Sequence, residues 1–289
     1  MISETVLDRN IHYPPPPMRQ VALGVDRARS YMERTMRAER IDEDSRLFKP
    51  GLLTGIHERV LFYYPGLAGQ YRINDEVQVV GRNLVKHRDL NQYVYLFERW
   101  LQNQMNQLKQ EPDNIRGALQ VATAAHFGIT GELHPFDDGN GRVARLVANF
   151  VLMQNTDERR FHKFFILPVP TLRERVDELE IRRRLESNES PKLQPYLRAL
   201  YEVGEKWDLL PLEQALATSW VQSIDRFLGD FNLRHDKDGF NNPTDQKLIA
   251  VIRRRKARLV QIAESIAEGN YPEHKVPNFY TTKFQELAA

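Results

Sequence analysis

Cysteine is absent from the 289 residues, which removes disulfides, thiolate nucleophiles and thiolate metal sites and fits a reducing compartment. Long apolar runs are missing too, since no stretch reaches the roughly eighteen consecutive apolar residues of a bilayer span. The opening residues, MISETVLDRNIHYPPPP, hold no apolar core of the kind a secretory leader carries. A cytoplasmic protein without a membrane segment is therefore expected, with an exported effector as the alternative. Excess charge of one sign is also lacking: 41 basic and 39 acidic side chains leave a net charge of +2. That balance offers no general electrostatic case for nucleic acid. What is present, 41% hydrophobic and 28% charged residues, suits a folded globular chain with one sizeable core plus an accessory segment, or two domains.

Against this plain background, residues 134–145, HPFDDGNGRVAR, concentrate chemistry in one short run. His134 titrates near neutral pH and as a free imidazole can take a proton from an attacking hydroxyl. Asp138 is a hard oxygen ligand suited to a Mg²⁺ that also holds phosphate oxygens. Gly139 and Gly141 permit positive φ and let N–H groups approach an anion, with Asn140 adding an amide donor beside them. The apolar run 142–153 reads as a helix whose positive end favours a bound phosphate. Arg142 and Arg145, three apart, share a face at its start and aim two forked cations at polyphosphate oxygens. Pro135 and Phe136 read as anchors of the loop in the core.

Along the rest of the chain, prolines 14–17 suggest a stiff spacer, and a helix is expected over 18–40. A short helix follows Leu52 and ends at the Pro65-Gly66 turn. Residues 70–81 alternate around Asn74 and Asp75 and read as a small β-hairpin closed by Gly81. Long helices are expected over 89–109 and 114–130, the second leading straight into the motif. His57, His87, His126 and His162 read as packed or solvated histidines. Residues 161–170 read as a buried connection, 171–186 as a charged helix with a salt-bridged face, and 195–207 as a further helix. A last helix over 244–268 carries Arg253, Arg254, Lys256 and Arg258 largely opposite its apolar side, which reads as a solvated basic face.

The motif matches the signature HxFx[DE]GNGRxxR at all eight specified positions: His134, Phe136, Asp138, Gly139, Asn140, Gly141, Arg142 and Arg145. Chance agreement is on the order of 10⁻¹⁰ per window at ordinary residue usage. The chain thus resembles the Fic (filamentation induced by cAMP) proteins of the Fido superfamily. The run GIHERVLFYYPGLAGQYR is similar to the first core helix and pre-hairpin segment of Fic domains, and the likeness extends from Leu52 to about Leu200.

The resemblance implies a mainly α fold: a Fic-type helical bundle with a small β-hairpin flap and a helical C-terminal segment. The corresponding division is an N-terminal arm and helix (1–46), a Fic core (47–204) and a C-terminal segment (205–289). It further implies a protein adenylyltransferase that moves AMP from ATP to a Ser, Thr or Tyr hydroxyl of a target protein. In that scheme His134 is the base, and Asp138 holds Mg²⁺. Gly139, Asn140 and Gly141 form the anion turn, and Arg142 and Arg145 orient the outer phosphates. The flap, with Tyr71, Arg72, Ile73, Val77 and Val79, docks an extended piece of the target by strand addition.

Relatives that use another nucleotide or remove AMP, and a regulator that binds nucleic acid through the basic C-terminal helix, stand as alternatives. Many Fic proteins are restrained by a helix of pattern [ST]xxxE[GN]. The run 264–269, ESIAEG, has Glu264 where Ser or Thr is required, so a plain helix C-cap at Gly269 is the preferred reading. Regulation is left to a separate antitoxin, to self-association, or to neither.

Overall fold

Pro17 opens the first helix, its carbonyl accepting from the N–H groups of Gln20 (2.8 Å) and Val21 (3.3 Å). The computed structural model describes residues 17–39, 51–76, 84–111, 113–154, 194–238 and 243–274. Helix α1 (Met18–Glu39) buries Ala28 and Met32. Gly24 lies where α1 meets helix α2 (Leu52–Val60), and a Cβ there would stand 2.5 Å from the carbonyl oxygen of Val60. Only glycine admits that approach of two backbones.

Helix α2 has no side chain of its own to cap it. Its exposed donors are met from outside, by a residue of helix α3 (Leu90–Gln110). The Glu98 carboxylate accepts from Gly51 N–H at 3.0 Å and Leu53 N–H at 2.9 Å. Burial pushes its pKa up, while these N–H bonds pull the other way.

Helix α4 (Ile115–Phe127) starts at an N-cap of ordinary chemistry, Asn114 Oδ1 accepting from Gly117 N–H at 2.7 Å. The chain then widens into a π-helical turn (Gly128–Leu133) before the motif loop. Such turns recur at functional sites because they redirect the residues that follow. Helix α5 (Asn140–Gln154) carries the motif arginines.

Behind α5 stand helices α6 (Gln194–Lys206), α7 (Leu210–Asp238) and α8 (Pro243–Ala267). Leu212, Leu216 and Trp220 of α7 and Ile252 and Leu259 of α8 join the same buried apolar cluster as α1 to α5. Polar ties reinforce it: Trp220 Nε1 donates to Asn149 Oδ1 at 2.9 Å, and Arg255 to the Leu152 carbonyl at 3.4 Å. Buried Glu213 accepts from the Tyr271 hydroxyl and meets His274 Nδ1, each at 2.7 Å.

The expected mainly helical bundle is what the structure shows. Residues 70–76, the described leg of the expected hairpin, bend at Asn74 and Asp75 and carry no strand pairing. The remaining hairpin residues 77–83, including Val77 and Val79, lie outside the described residues, as do the readings for the proline spacer at 14–16 and for 161–186. No helix among the described residues is long and apolar enough to cross a membrane.

The C-cap reading at Gly269 agrees with the coordinates. Gly269 adopts φ 71°, its N–H reaches the Ile266 carbonyl, and Asn270 N–H reaches that of Ser265. These are the paired bonds of a Schellman ending. Ser265, Asn270 and Tyr271 share a cleft with Asp113 and Arg116 at the start of α4. The motif loop follows the far end of that helix, about 20 Å away at 1.5 Å per residue.

Candidate active site

The motif loop is held by its own residues first. Asn140 is 3% exposed, with Oδ1 accepting from Phe136 N–H at 3.1 Å and Nδ2 donating to the Phe136 carbonyl at 2.6 Å. The amide read from sequence as an anion donor is thus turned inward, where it closes the loop. Phe136 is fully buried and lies flat on the His57 ring, centroids 3.7 Å apart and planes within 2°. Its anchoring role follows from that stack.

His57, read from sequence as packed or solvated, is packed, and its contribution to the site was not legible. Its Nδ1 accepts from Gly69 N–H at 3.0 Å, which leaves the ring proton on Nε2 to donate to the Asp138 carbonyl at 2.9 Å. Burial pushes its pKa down to about 4, so it stays neutral and keeps that tautomer. Next to this bond Gly139 turns through φ 84°, and a Cβ on it would press on the His57 ring at 3.2 Å. Histidine and glycine together set the anion turn.

His134 emerges from the π-turn at φ 40°, a left-handed conformation that costs a residue bearing a Cβ. Its Nδ1 is 2.9 Å from the Thr130 carbonyl and must donate to it, so Nε2 carries the lone pair. No hydrogen bond to Nε2 is formed among the described residues. Burial pushes the imidazole pKa down, opposed by the Thr130 carbonyl, and Arg72 lowers it further against Asp138 and Asp137. The free base is therefore the resident form at neutral pH.

Asp138 projects half exposed. Its Oδ1 accepts from Gly139 N–H at 2.6 Å, and its Oδ2 pairs with Arg142 Nη2 at 2.9 Å. Arg142 Nη1 also donates to the Tyr63 hydroxyl. Tyr63 is a further participant, and the YYPG run gave no hint of it. Arg145 makes no hydrogen bond or ion pair among the described residues, and burial pushes its pKa down, Tyr196 opposing. A half-buried guanidinium favours an anionic partner. Behind it His126 is fully buried, with Nε2 3.2 Å from the Tyr196 hydroxyl.

These groups bring together an imidazole base, a carboxylate, two guanidinium groups and the opening N–H groups of α5. The donor set fits a phosphate chain. It also fits Mg²⁺, which takes one or two carboxylates and completes its shell with phosphate oxygens and water. Among the described residues no cluster of three or more His, Cys, Asp or Glu could cage a metal by protein ligands alone.

Of the five flap residues read from sequence, three are described. Ile73 is 56% exposed, Tyr71 packs partly buried near Phe136 at a centroid distance of 5.6 Å, and Arg72 is turned inward.

A helical fold that gathers an imidazole, a carboxylate and two guanidinium groups beside a glycine turn defines a class of site, and comparisons with known proteins show what that segment is similar to. Residues 47–152 match the Fic/DOC family model. It is 33% identical over 135 residues to the protein adenylyltransferase Fic of Nematostella vectensis, covering 46% of this chain and 28% of that relative. To the protein adenylyltransferase Fic of Culex quinquefasciatus it is 32% identical over 133 residues, 46% of this chain and 24% of that one. The chain thus spans under a third of the length of these curated relatives. Fic-1 from C. elegans is similar in structure, with a TM-score of 0.49 and 20% identity over 79% of this chain and 57% of that one.

Proposed function

We propose that this protein is an adenylyltransferase that joins AMP from ATP to a hydroxyl of a target protein. The observation that carries the reading is the His134 ring, with Nδ1 tied to the Thr130 carbonyl and the lone pair left on Nε2, followed by Asp138 on the turn and Arg142 and Arg145 at the start of α5. The relatives' printed name, protein adenylyltransferase, supports the same reading.

In the proposed step the acceptor oxygen attacks the α-phosphorus of ATP while its proton passes to His134 Nε2. A new P–O bond to the target forms, the bond between the α-phosphorus and the bridging oxygen breaks, and pyrophosphate leaves. Arg142 and Arg145 hold the outer phosphates, and the N–H groups of the anion turn hold the inner ones. Asp138 would hold Mg²⁺, exchanging its pairing with Arg142 as that arginine takes up phosphate. When bound, the metal neutralises charge on the phosphate oxygens and the leaving group. Transfer of this kind rests on positioning and charge neutralisation more than on covalent chemistry, and these residues supply both.

The test is parallel incubation with α-labelled and γ-labelled ATP and Mg²⁺, followed by mass spectrometry of the labelled protein. The reading expects label from the α-position alone and a mass gain of one AMP on a Ser, Thr or Tyr. Label from the γ-position would show a kinase instead.

A further inference from the structure

Arg72 is an enclosed cation, 2% exposed, and every direction it faces holds an oxygen. Its Nε donates to the His134 carbonyl at 2.9 Å, and its Nη2 to the Val85 carbonyl and, at 3.5 Å, to that of Leu133. Its Nη1 donates to the Asn74 carbonyl at 2.8 Å and to Asp75 Oδ1 at 2.9 Å. The backbone N–H of the same residue donates to the Pro135 carbonyl at 2.9 Å. Three successive carbonyls, those of Leu133, His134 and Pro135, therefore converge on one residue.

The middle carbonyl belongs to the residue at φ 40°, a conformation that persists only where the surroundings enforce it. A planar guanidinium with donors in a fixed fork is suited to that task, since it holds several acceptors at set angles.

The other side of Arg72 grips the expected docking segment. Asn74 and Asp75 precede residues 77–83, and Val85 and His87 follow them. Asp75 Oδ1 also accepts from His87 N–H at 2.7 Å, and Val85 N–H donates to the Glu132 carbonyl at 3.4 Å. Both legs of the segment are thus pinned to the strained turn that presents the imidazole.

We propose that Arg72 is a positioning residue that locks the left-handed backbone of His134 and ties it to both legs of the docking segment. The base and the acceptor hydroxyl are then held in one frame. This rests on the reading of His134 as the base. Arg72 touches neither nucleotide nor acceptor, so its loss should affect the rate of transfer and spare nucleotide binding.

Arg72→Ala and Arg72→Lys are compared with the wild type by calorimetric titration of ATP with Mg²⁺ and by turnover of α-labelled ATP. A third readout is the ring ¹⁵N spectrum of His134 in histidine-labelled protein. ATP affinity is expected to stay within about threefold of wild type while kcat falls about 10²-fold or more in both variants. Lysine does not substitute, because an ammonium cannot span the fork. Guanidinium ion added to Arg72→Ala should restore part of the turnover, and added to Arg72→Lys should restore none. The His134 spectrum should change from the single Nδ1–H tautomer to a mixture.

Should Arg72→Ala not fold, Asp75→Asn removes the half-exposed partner of Arg72 and is expected to show the same split in milder form. A folded variant with wild-type kcat and an unaltered His134 ring spectrum would overturn the proposal, as would ATP affinity and turnover falling in parallel. Absence of AMP transfer by the wild type would sink the functional reading alone, because the ring spectrum still decides what Arg72 does.

Discussion

His134 is useful as a base only if its proton comes off below working pH, and its surroundings arrange this. Burial disfavours the imidazolium, and the Thr130 carbonyl fixes the ring proton on Nδ1. A lowered pKa means the base form persists into mildly acidic solution. The acid limb of the rate–pH profile, measured as AMP incorporation between about pH 5 and 8, should therefore be centred below the ordinary histidine value of about 6.5. A limb centred above that value would contradict the assignment. At this scale the sequence was eloquent where chemistry is local: His134, Asp138, Gly139, Arg142 and Arg145 sit within twelve consecutive residues. It placed His57 only as a packed or solvated histidine and Arg72 only as a flap residue, because their partners Asp138 and His134 lie 81 and 62 positions away. Asn140 shows the converse, a motif residue whose side-chain amide is paired with the Phe136 backbone, which the motif spacing did not reveal.

Elements, in turn, are held at their ends. Helix α2 delivers His57 to the loop, yet Gly51 gives it no cap and Glu98 caps it from α3. Periodicity could place α1, α3, α4, α5 and α8 within a few residues, because each buries one stripe of apolar side chains. A cap supplied from 47 positions away leaves no mark in a local window. Glu98→Ala is expected to lower stability by about 1–3 kcal/mol in denaturant titration, through loss of the cap and exposure of unpaired buried donors. Because α2 carries His57, it should also reduce AMP transfer. An unchanged unfolding midpoint would mean that the cap is dispensable. Gly24 illustrates another signal that sequence alone cannot interpret, a lone glycine in a helix that marks the crossing with Val60.

At the scale of the whole molecule, the C-terminal helices brace α5 from behind through Trp220 and Arg255, and the short run after α8 is stapled to α7 by Glu213. This explains why a region with no recognisable motif is nonetheless continuous with the core. Of the basic face read on the last helix, Arg253, Arg254 and Arg258 are exposed and Lys256 pairs with Asp225 at 2.5 Å, while Arg255, which that reading left out, is buried. The arrangement as a whole encloses the motif loop between α4 and α5, with His134 before the Gly139 turn and Arg142 and Arg145 after it.

The central claim is that binding and proton transfer are divided between those two sides. Titration of ATP with Mg²⁺ into His134→Ala and Arg145→Ala, each alongside its rate of AMP incorporation, tests it most directly. The account predicts that His134→Ala binds ATP as the wild type does while transfer falls roughly 10²–10⁴-fold, and that Arg145→Ala weakens binding about tenfold or more. Undiminished transfer by His134→Ala, or undiminished ATP binding by Arg145→Ala, would contradict it.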